Sequence, residues 1–338
     1  MRIAVDAMGG DFAPAAIVHG GIDAVRFHRH DFEVVFVGDE EQIKQEIARH
    51  FFTGELPISI VHASEKIEMN ESPMLALKQK KDSSIAVAMR LHREGKVDAV
   101  LSAGNTGAVM AAALLTLGHM QGVSRPAIAS ILPNERGKSL VIDVGANVDC
   151  KPPQLLQFGI MGSIFMSHLF ELERPRVALL NIGEEDSKGN EAALGAYRLL
   201  QESPLNFIGN IEGRNILRDA TDVVVCDGFV GNIILKFAES IDGVYSSNLK
   251  RKIGKKIFSQ IGAFLLQPTF DGLRKIFDYQ EYGGAPLLGV NGVCIICHGK
   301  STPKAIKNAI REAERMVTGK INDHIRQQLE VLNGAKVE

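Results

Sequence analysis

A chain of 338 residues with 45% hydrophobic and 23% charged residues has the balance of a globular protein that can bury a large core. Its formal net charge of −2 gives no electrostatic support for general nucleic-acid binding. Asp6 and Asp11 interrupt the apolar start, no run of roughly 18 apolar residues occurs, and four cysteines make no disulfide framework, so neither signal peptide nor membrane span is predicted and the cytoplasm is expected.

The first predicted strand, Ile3–Val5, runs into Asp6 and a Gly9-Gly10-Asp11 turn, and a helix is predicted from Pro14 to Val25. Strand, glycine turn and helix start are the grammar of an anion site. Glycine lets the backbone approach a ligand, and a helix N-terminus presents free N–H groups. Further strands are predicted at Glu33–Val37, Ile58–Val61, Ala99–Leu101, Ile128–Leu132, Leu140–Val144, Val177–Leu180, Asn206–Ile208, Val223–Cys226 and Val293–Cys297. Helical patterns lie between most of them, among them Ser83–Arg93, Gly107–Leu117, Pro153–Leu169 and Glu191–Gln201. Such alternation predicts βαβ units and a mostly parallel sheet covered on both faces, a three-layer αβα sandwich in a single α/β domain over residues 1–338. From Asn232 to about residue 280 the pattern is helix after helix, a helical insert without strands. One long helix, from Pro303 to about Leu332 with Gly334 at its end, closes the chain.

Four more strands end in polar loops like the first. They are Ser102-Ala-Gly-Asn105-Thr106, Asp143-Val-Gly-Ala-Asn147, Asn181-Ile-Gly-Glu-Glu-Asp-Ser-Lys188-Gly-Asn190 and Asp227-Gly-Phe-Val-Gly-Asn232. Open parallel sheets bind ligands at the carboxyl ends of their strands. The loops are therefore expected to close on one polar site, although turn chemistry alone also uses Gly, Asn and Asp. Ser102, Asn105 and Thr106 are candidate hydrogen-bond donors to a phosphate. Asp6, Asp143 and Asp227 are candidates for orienting backbone and cations, with Asx-type turns as the structural alternative. Gly9, Gly10, Asp11, Asn147 and Asn232 complete the substrate-binding set.

Some motifs carry nothing. Cys294-Ile-Ile-Cys297-His298 fits the spacing of covalent haem attachment, but the stretch is a predicted buried strand and its thiols are expected to act as small hydrophobes. No second Cys/His pair has zinc spacing. Gly299-Lys300-Ser301 lacks the leading glycine of a P-loop, since position 294 is Cys, and no GxGxxG occurs. No metal or cofactor is expected. His28-Arg29-His30 reads as a solvated helix end.

In order along the chain, MRIAVDAMGGDFAP, SAGNTGAV, DVGANVDCKP, NIGEEDSKGNE, DGFVGNIILK and YGGAPLLGV resemble the PlsX family, acyl-[acyl-carrier-protein]:phosphate acyltransferases of bacterial phospholipid synthesis. The resemblance runs from Met1 to beyond Ile310. It implies a fold similar to the phosphotransacetylase and isopropylmalate dehydrogenase group. It also implies attack by inorganic phosphate on an acyl carrier protein thioester, giving an acyl phosphate for glycerol-3-phosphate acylation. Phosphate brings its own nucleophile and thiolate leaves readily, so positioning and electrostatics suffice. Lys188 matches a lysine that faces the family's cleft, and His298 matches a His-Gly pair; these are the candidate catalytic residues. The chain departs from the family pattern at Phe12, where His is common, at Lys300, where Ser is common, and at Thr302-Pro303. The alternatives are a phosphate acyltransferase using acyl-CoA or acetyl-CoA, and a non-catalytic membrane scaffold for lipid-synthesis enzymes.

In the insert, Ile253, Ile257, Ile261 and Leu265 recur every four residues and Phe258 and Phe264 widen the stripe, with Lys250, Arg251, Lys252, Lys255 and Lys256 at one end. Gln267-Pro268 is a predicted break, after which Phe270, Leu273, Ile276 and Phe277 form a second apolar face beside Arg274 and Lys275. A basic amphipathic helical pair reads as a membrane-surface or partner-binding element, or as a dimer stripe with a solvated basic edge. The resemblance implies a homodimer, peripherally membrane-associated, that docks acyl carrier protein and supplies the membrane glycerol-3-phosphate acyltransferase PlsY.

Overall fold

The apolar runs of the sequence become the strands of one sheet. The computed structural model describes residues 1–26, 32–51, 54–135, 137–218, 221–254, 257–269, 272 and 278–334. The strands are β1 (Arg2–Asp6), β2 (Glu33–Gly38), β3 (Ile58–His62), β4 (Ala99–Ser102), β5 (Ala127–Asn134), β6 (Gly137–Ile142), β7 (Arg176–Leu180), β8 (Asn206–Ile211), β9 (Val223–Val225), β10 (Ala285–Leu288) and β11 (Val293–Ile296). The helices are α1 (Ala15–Arg26), α2 (Glu40–Ala48), α3 (Pro73–Gln79), α4 (Ser84–Arg93), α5 (Thr106–Thr116), α6 (Pro152–Phe170), α7 (Glu191–Gln201), α8 (Gly228–Ile253), α9 (Ile257–Leu265), α10 (Pro303–Thr318) and α11 (Ile321–Gly334).

Across the sheet the order is β3-β2-β1-β4-β11-β10-β5-β6-β9-β7-β8. Strands β3, β2, β1, β4 and β11 are mutually parallel, as are β6, β9, β7 and β8. Between these blocks, β11 to β10, β10 to β5 and β5 to β6 all pair antiparallel. Three reversals leave the second block running opposite to the first. The sheet is mostly parallel, as the alternation predicts, but it has two directions.

Both faces are covered. Ile3 and Val5 point into a core built with α1, α6, α7, α10 and α11, while Ala4 between them points into a core built with α3, α4, α5 and the start of α8. All three are completely buried, which is why such strands read as continuous apolar runs. The haem-like motif resolves the same way: Cys294 packs into one core and Cys297 into the other, on opposite faces of β11.

Two predicted features differ. β10 escapes the sequence reading because it is four residues long and holds Pro286, which has no N–H to give a ladder. The closing helix is two helices. Lys320 takes a left-handed φ of 47°, and the chain turns there so that Ile321 re-enters the core fully buried. His28-Arg29-His30, Lys255, Lys256, Phe270, Leu273, Arg274, Lys275, Ile276 and Phe277 lie outside the described residues.

Candidate active site

At the carboxyl end of β1 the opening loop folds into the protein itself. Asp6 is wholly buried; its Oδ2 accepts from Ser102 Oγ (2.6 Å) and its Oδ1 from the N–H of Met8 (3.2 Å). Burial pushes its carboxyl above the ordinary value, against the pull of these hydrogen bonds. The glycines are there for packing. A Cβ on Gly9 would overlap the Asp6 carboxylate and stand 2.7 Å from the Gly104 nitrogen. One on Gly10, at φ 109°, would press on Gly299 and Ala103. The Asp11 N–H donates to the Gly299 carbonyl (2.7 Å), so the three loops after β1, β4 and β11 form one knot.

Of the three side chains expected to donate to phosphate here, Ser102 and Asn105 are used within the protein. Ser102 donates to Asp6. Asn105 caps α5 through Oδ1, accepting from the N–H of Ala108 (3.1 Å), and its amide donates to the carbonyls of Met69 (3.0 Å) and Glu71 (3.1 Å). Thr106, Asp11 and His298 remain exposed, and His298 Nδ1 accepts from the N–H of Lys300 (3.1 Å).

The second group of loops gathers around Asp143, which follows β6. Its carboxylate accepts from the backbone N–H groups of Ile128 (3.0 Å), Ala146 (3.0 Å) and Asn147 (2.7 Å), and from the Asn147 amide (2.9 Å). Burial raises its pKa, and these hydrogen bonds hold the rise down. The 143–147 turn is joined to the start of α8: Gly228 N–H donates to the Asn147 carbonyl (2.7 Å), and Asp227 Oδ1 caps the helix by accepting from the N–H of Val230 (2.8 Å). Asn232, one turn on, stands against Gly145. On the same edge the loop after β7 is held by Asn181, whose amide donates to the Lys188 carbonyl (2.9 Å), and by Asn210, whose amide donates to the Glu185 carbonyl (2.8 Å). Lys188 is exposed, and among the described residues its ammonium has no acidic partner.

Strand pairing gives the distance between the two groups. Ser102 is level with Ile296 and Ala285; two residues past Ala285, Leu287 is level with Ile128, against which Asp143 lies. The Ser102 and Asp143 loops thus begin two residue steps apart along the strands but four strands apart across the sheet, roughly 20 Å. They leave it in opposite directions. β11 and β7, which carry His298 and Lys188, are five strand spacings apart, about 24 Å. The strand ends that carry the five loops therefore fall in two groups on the sheet, and α5, which starts at Thr106, leads from the first group to the 143–147 turn of the second.

A cleft of about 340 Å³ opens beside the Asp143 group, walled by Met110 and Leu114 of α5, Pro126, Ala146 and Asn147, with His119 and Arg125 at its rim. Arg125 is absent from the sequence-based candidates because it follows no glycine loop at a strand's carboxyl end; it precedes β5. The only sequence-level signal is a cation two residues before a buried strand.

The family described as Fatty acid synthesis protein matches residues 1–324. The chain belongs to that family. Among its relatives, the phosphate acyltransferase of Pelotomaculum thermopropionicum is 51% identical, over 98% of this chain and 95% of that one. The phosphate acyltransferase of Heliobacterium modesticaldum is also 51% identical, over 98% and 99%. Solved structures share the fold: the EutD phosphotransacetylase from Staphylococcus aureus has a TM-score of 0.57 at 15% identity, covering 93% of this chain and 94% of that one. A phosphotransacetylase from Streptococcus pyogenes has 0.58 at 14%, covering 94% of each.

For this fatty acid synthesis family member, the thiols near the Asp143 group matter chemically. Burial and the charges of Asp143 and Asp227 push Cys150 up to about 12 and Cys226 well above its ordinary value, so both stay protonated near neutral pH. Further out, α9 leaves Ile261, Phe264 and Leu265 more than half exposed, while Ile253 at the end of α8 is partly buried. The α9 backbone begins at Ile257 and carries Phe258 next to it. Among the described residues no helix is long and apolar enough to cross a membrane.

Proposed function

We propose that this chain, an acyltransferase like its relatives, transfers the acyl group of acyl-[acyl carrier protein] to inorganic phosphate. The observation that carries the reading is the pair of relatives about half identical over nearly the whole chain, both named phosphate acyltransferase. A hydrogenphosphate oxygen attacks the thioester carbonyl carbon, the C–S bond breaks, and the phosphate's proton ends on the departing thiolate. The products are an acyl phosphate and a free carrier thiol. The protonated Cys150 and Cys226 support direct attack over a cysteinyl intermediate.

We assign the chemistry to the edge that carries the Asp143 turn, the start of α8 and the Lys188 loop. Lys188 supplies a cation to the developing oxyanion. Asp143, Asp227, Asn147 and Asn232 hold the surrounding backbone. The loops of the other edge, with Asp6, Gly9, Gly10, Asp11, Ser102, Asn105, Thr106 and His298, complete the substrate-binding set, and a second copy of the chain would bring its own exposed loops to the cleft. A homodimer is part of this proposal for that reason. The exposed apolar residues of α9 with Arg251 and Lys252 nearby support a peripheral membrane surface, where the acyl phosphate passes to a membrane glycerol-3-phosphate acyltransferase. The same basic edge suits an acidic carrier protein.

The test is phosphate-dependent consumption of acyl carrier protein thioesters, set against the matching acyl-CoA. Preference for the carrier thioester is expected. Equal or better use of acyl-CoA would assign the enzyme to the coenzyme A reaction instead.

A further inference from the structure

We propose that Arg125 holds the phosphate nucleophile, in the cleft between α5 and the 143–147 turn; this rests on the phosphate acyltransferase reading above. Arg125 is exposed at the cleft rim, and among the described residues its guanidinium meets no carboxylate and no hydrogen-bond acceptor. A guanidinium is always charged and presents paired donors that match phosphate oxygens. An arginine on a mobile surface loop would carry little meaning, but this loop is clamped on both sides. Ser124 donates from its N–H (3.0 Å) and its hydroxyl (2.8 Å) to Gln157 Oε1, and Gln157 Nε2 donates to the Gly122 carbonyl (2.7 Å). On the other side Asn147 Nδ2 donates to the Pro126 carbonyl (2.8 Å) while also bonding Asp143 (2.9 Å). The residues on either side of Arg125 are thus fixed to α6 and to the turn that anchors α8.

The cleft chemistry fits an acyl phosphate. Its rim carries the cation and its wall carries Met110 and Leu114, so a phosphoryl group and the first methylenes of an acyl chain find different partners. Arg125 precedes β5 and Lys188 follows β7, on the same edge and three strand spacings apart, about 14 Å at their bases. Two long cationic side chains reaching inward from that separation can serve the nucleophile and the oxyanion of one reaction.

The test compares Arg125→Gln and Arg125→Lys with the wild-type full chain. In steady-state phosphorolysis, Arg125→Gln is expected to raise KM for inorganic phosphate about 10- to 100-fold, the effect of one lost charge-assisted contact, with KM for the thioester unchanged. Arg125→Lys recovers part of it. Thermal shifts with phosphate against chloride at matched ionic strength read the same site without catalysis: phosphate stabilises the wild type and not Arg125→Gln. An unchanged phosphate KM, or a rise in the thioester KM instead, overturns the proposal; the latter would place Arg125 on the carrier's own phosphate group. A wild type that is stabilised through Arg125 by phosphate yet turns over no thioester would sink the functional reading and keep the phosphate site.

Discussion

Replacing Glu312 by glutamine should flatten the pH dependence of stability. Glu312 lies on α10 and is 6% exposed, with Oε1 lacking any hydrogen-bond partner. Burial pushes its pKa from 4.5 to about 8, against the attraction of Arg315 on its own helix and Lys138 on β6 and a hydrogen bond from the N–H of Gly284. Cys297, just after β11, also faces it, and its thiol is raised by the same burial. Arg315 and Lys138 are themselves engaged: Arg315 donates to the Leu169 carbonyl, and the Lys138 ammonium lies 4.9 Å from the Phe170 ring and 5.0 Å from that of Tyr282. A carboxyl whose folded pKa is raised holds its proton more tightly when folded. The contribution of Glu312 to stability is therefore greatest below pH 4.5 and is lost as pH rises toward about 8. At ~1.4 kcal/mol per pH unit the full loss is about 5 kcal/mol, of which about 3 kcal/mol falls between pH 6 and 9. Glu312→Gln carries no charge at any pH and avoids that loss. Denaturant unfolding of both proteins at pH 6 and pH 9 reads the difference. The variant should gain about 3 kcal/mol on the wild type between the two pH values. Parallel stability profiles would mean that Glu312 is already paired or hydrated, and the reasoning would fail.

Three other outcomes follow from the site. Lys188→Ala should lower thioester phosphorolysis by about 100-fold or more, the scale of one lost oxyanion donor, while leaving the unfolding midpoint unchanged because the side chain is exposed. Retained activity would remove Lys188 from the mechanism. Gly231→Ala places a Cβ on the Asp143 carbonyl oxygen and should cost ~1–3 kcal/mol or more in a chemical denaturation series, with activity falling as the 143–147 turn shifts; a neutral effect would show that the α8 start can slide. Phe264→Glu with Leu265→Glu should abolish flotation with anionic liposomes at low salt and leave phosphorolysis in solution intact; unchanged flotation would assign that face to something other than lipid.

Much of the fold was legible because burial on both sheet faces writes itself as unbroken Val, Ile and Leu runs, as at β1, β4 and β9. The reversal of the sheet was not legible. It depends on β10, whose Ala-Pro-Leu-Leu carries no periodic signal, and on β5 pairing with it across about 160 residues of chain. The site loops were legible as loops but not as neighbours. Ser102, Asn105 and Asp143 have the residue types that bind anions, yet those same groups tie loops together, and only the positions of Gly104, Met69 and the 145–147 amides show which role each one plays. Arg125 was hidden for the opposite reason: it belongs to no motif, and its value comes from Gln157 and Asn147, far from it in the chain.

The account stands on one reaction. Purified wild-type protein, mixed with a long-chain acyl-[acyl carrier protein] and inorganic phosphate, should release free carrier thiol and acyl phosphate in equal amounts, at a rate that vanishes when phosphate is replaced by chloride. Thioester consumption that ignores phosphate, or none at all, would contradict it.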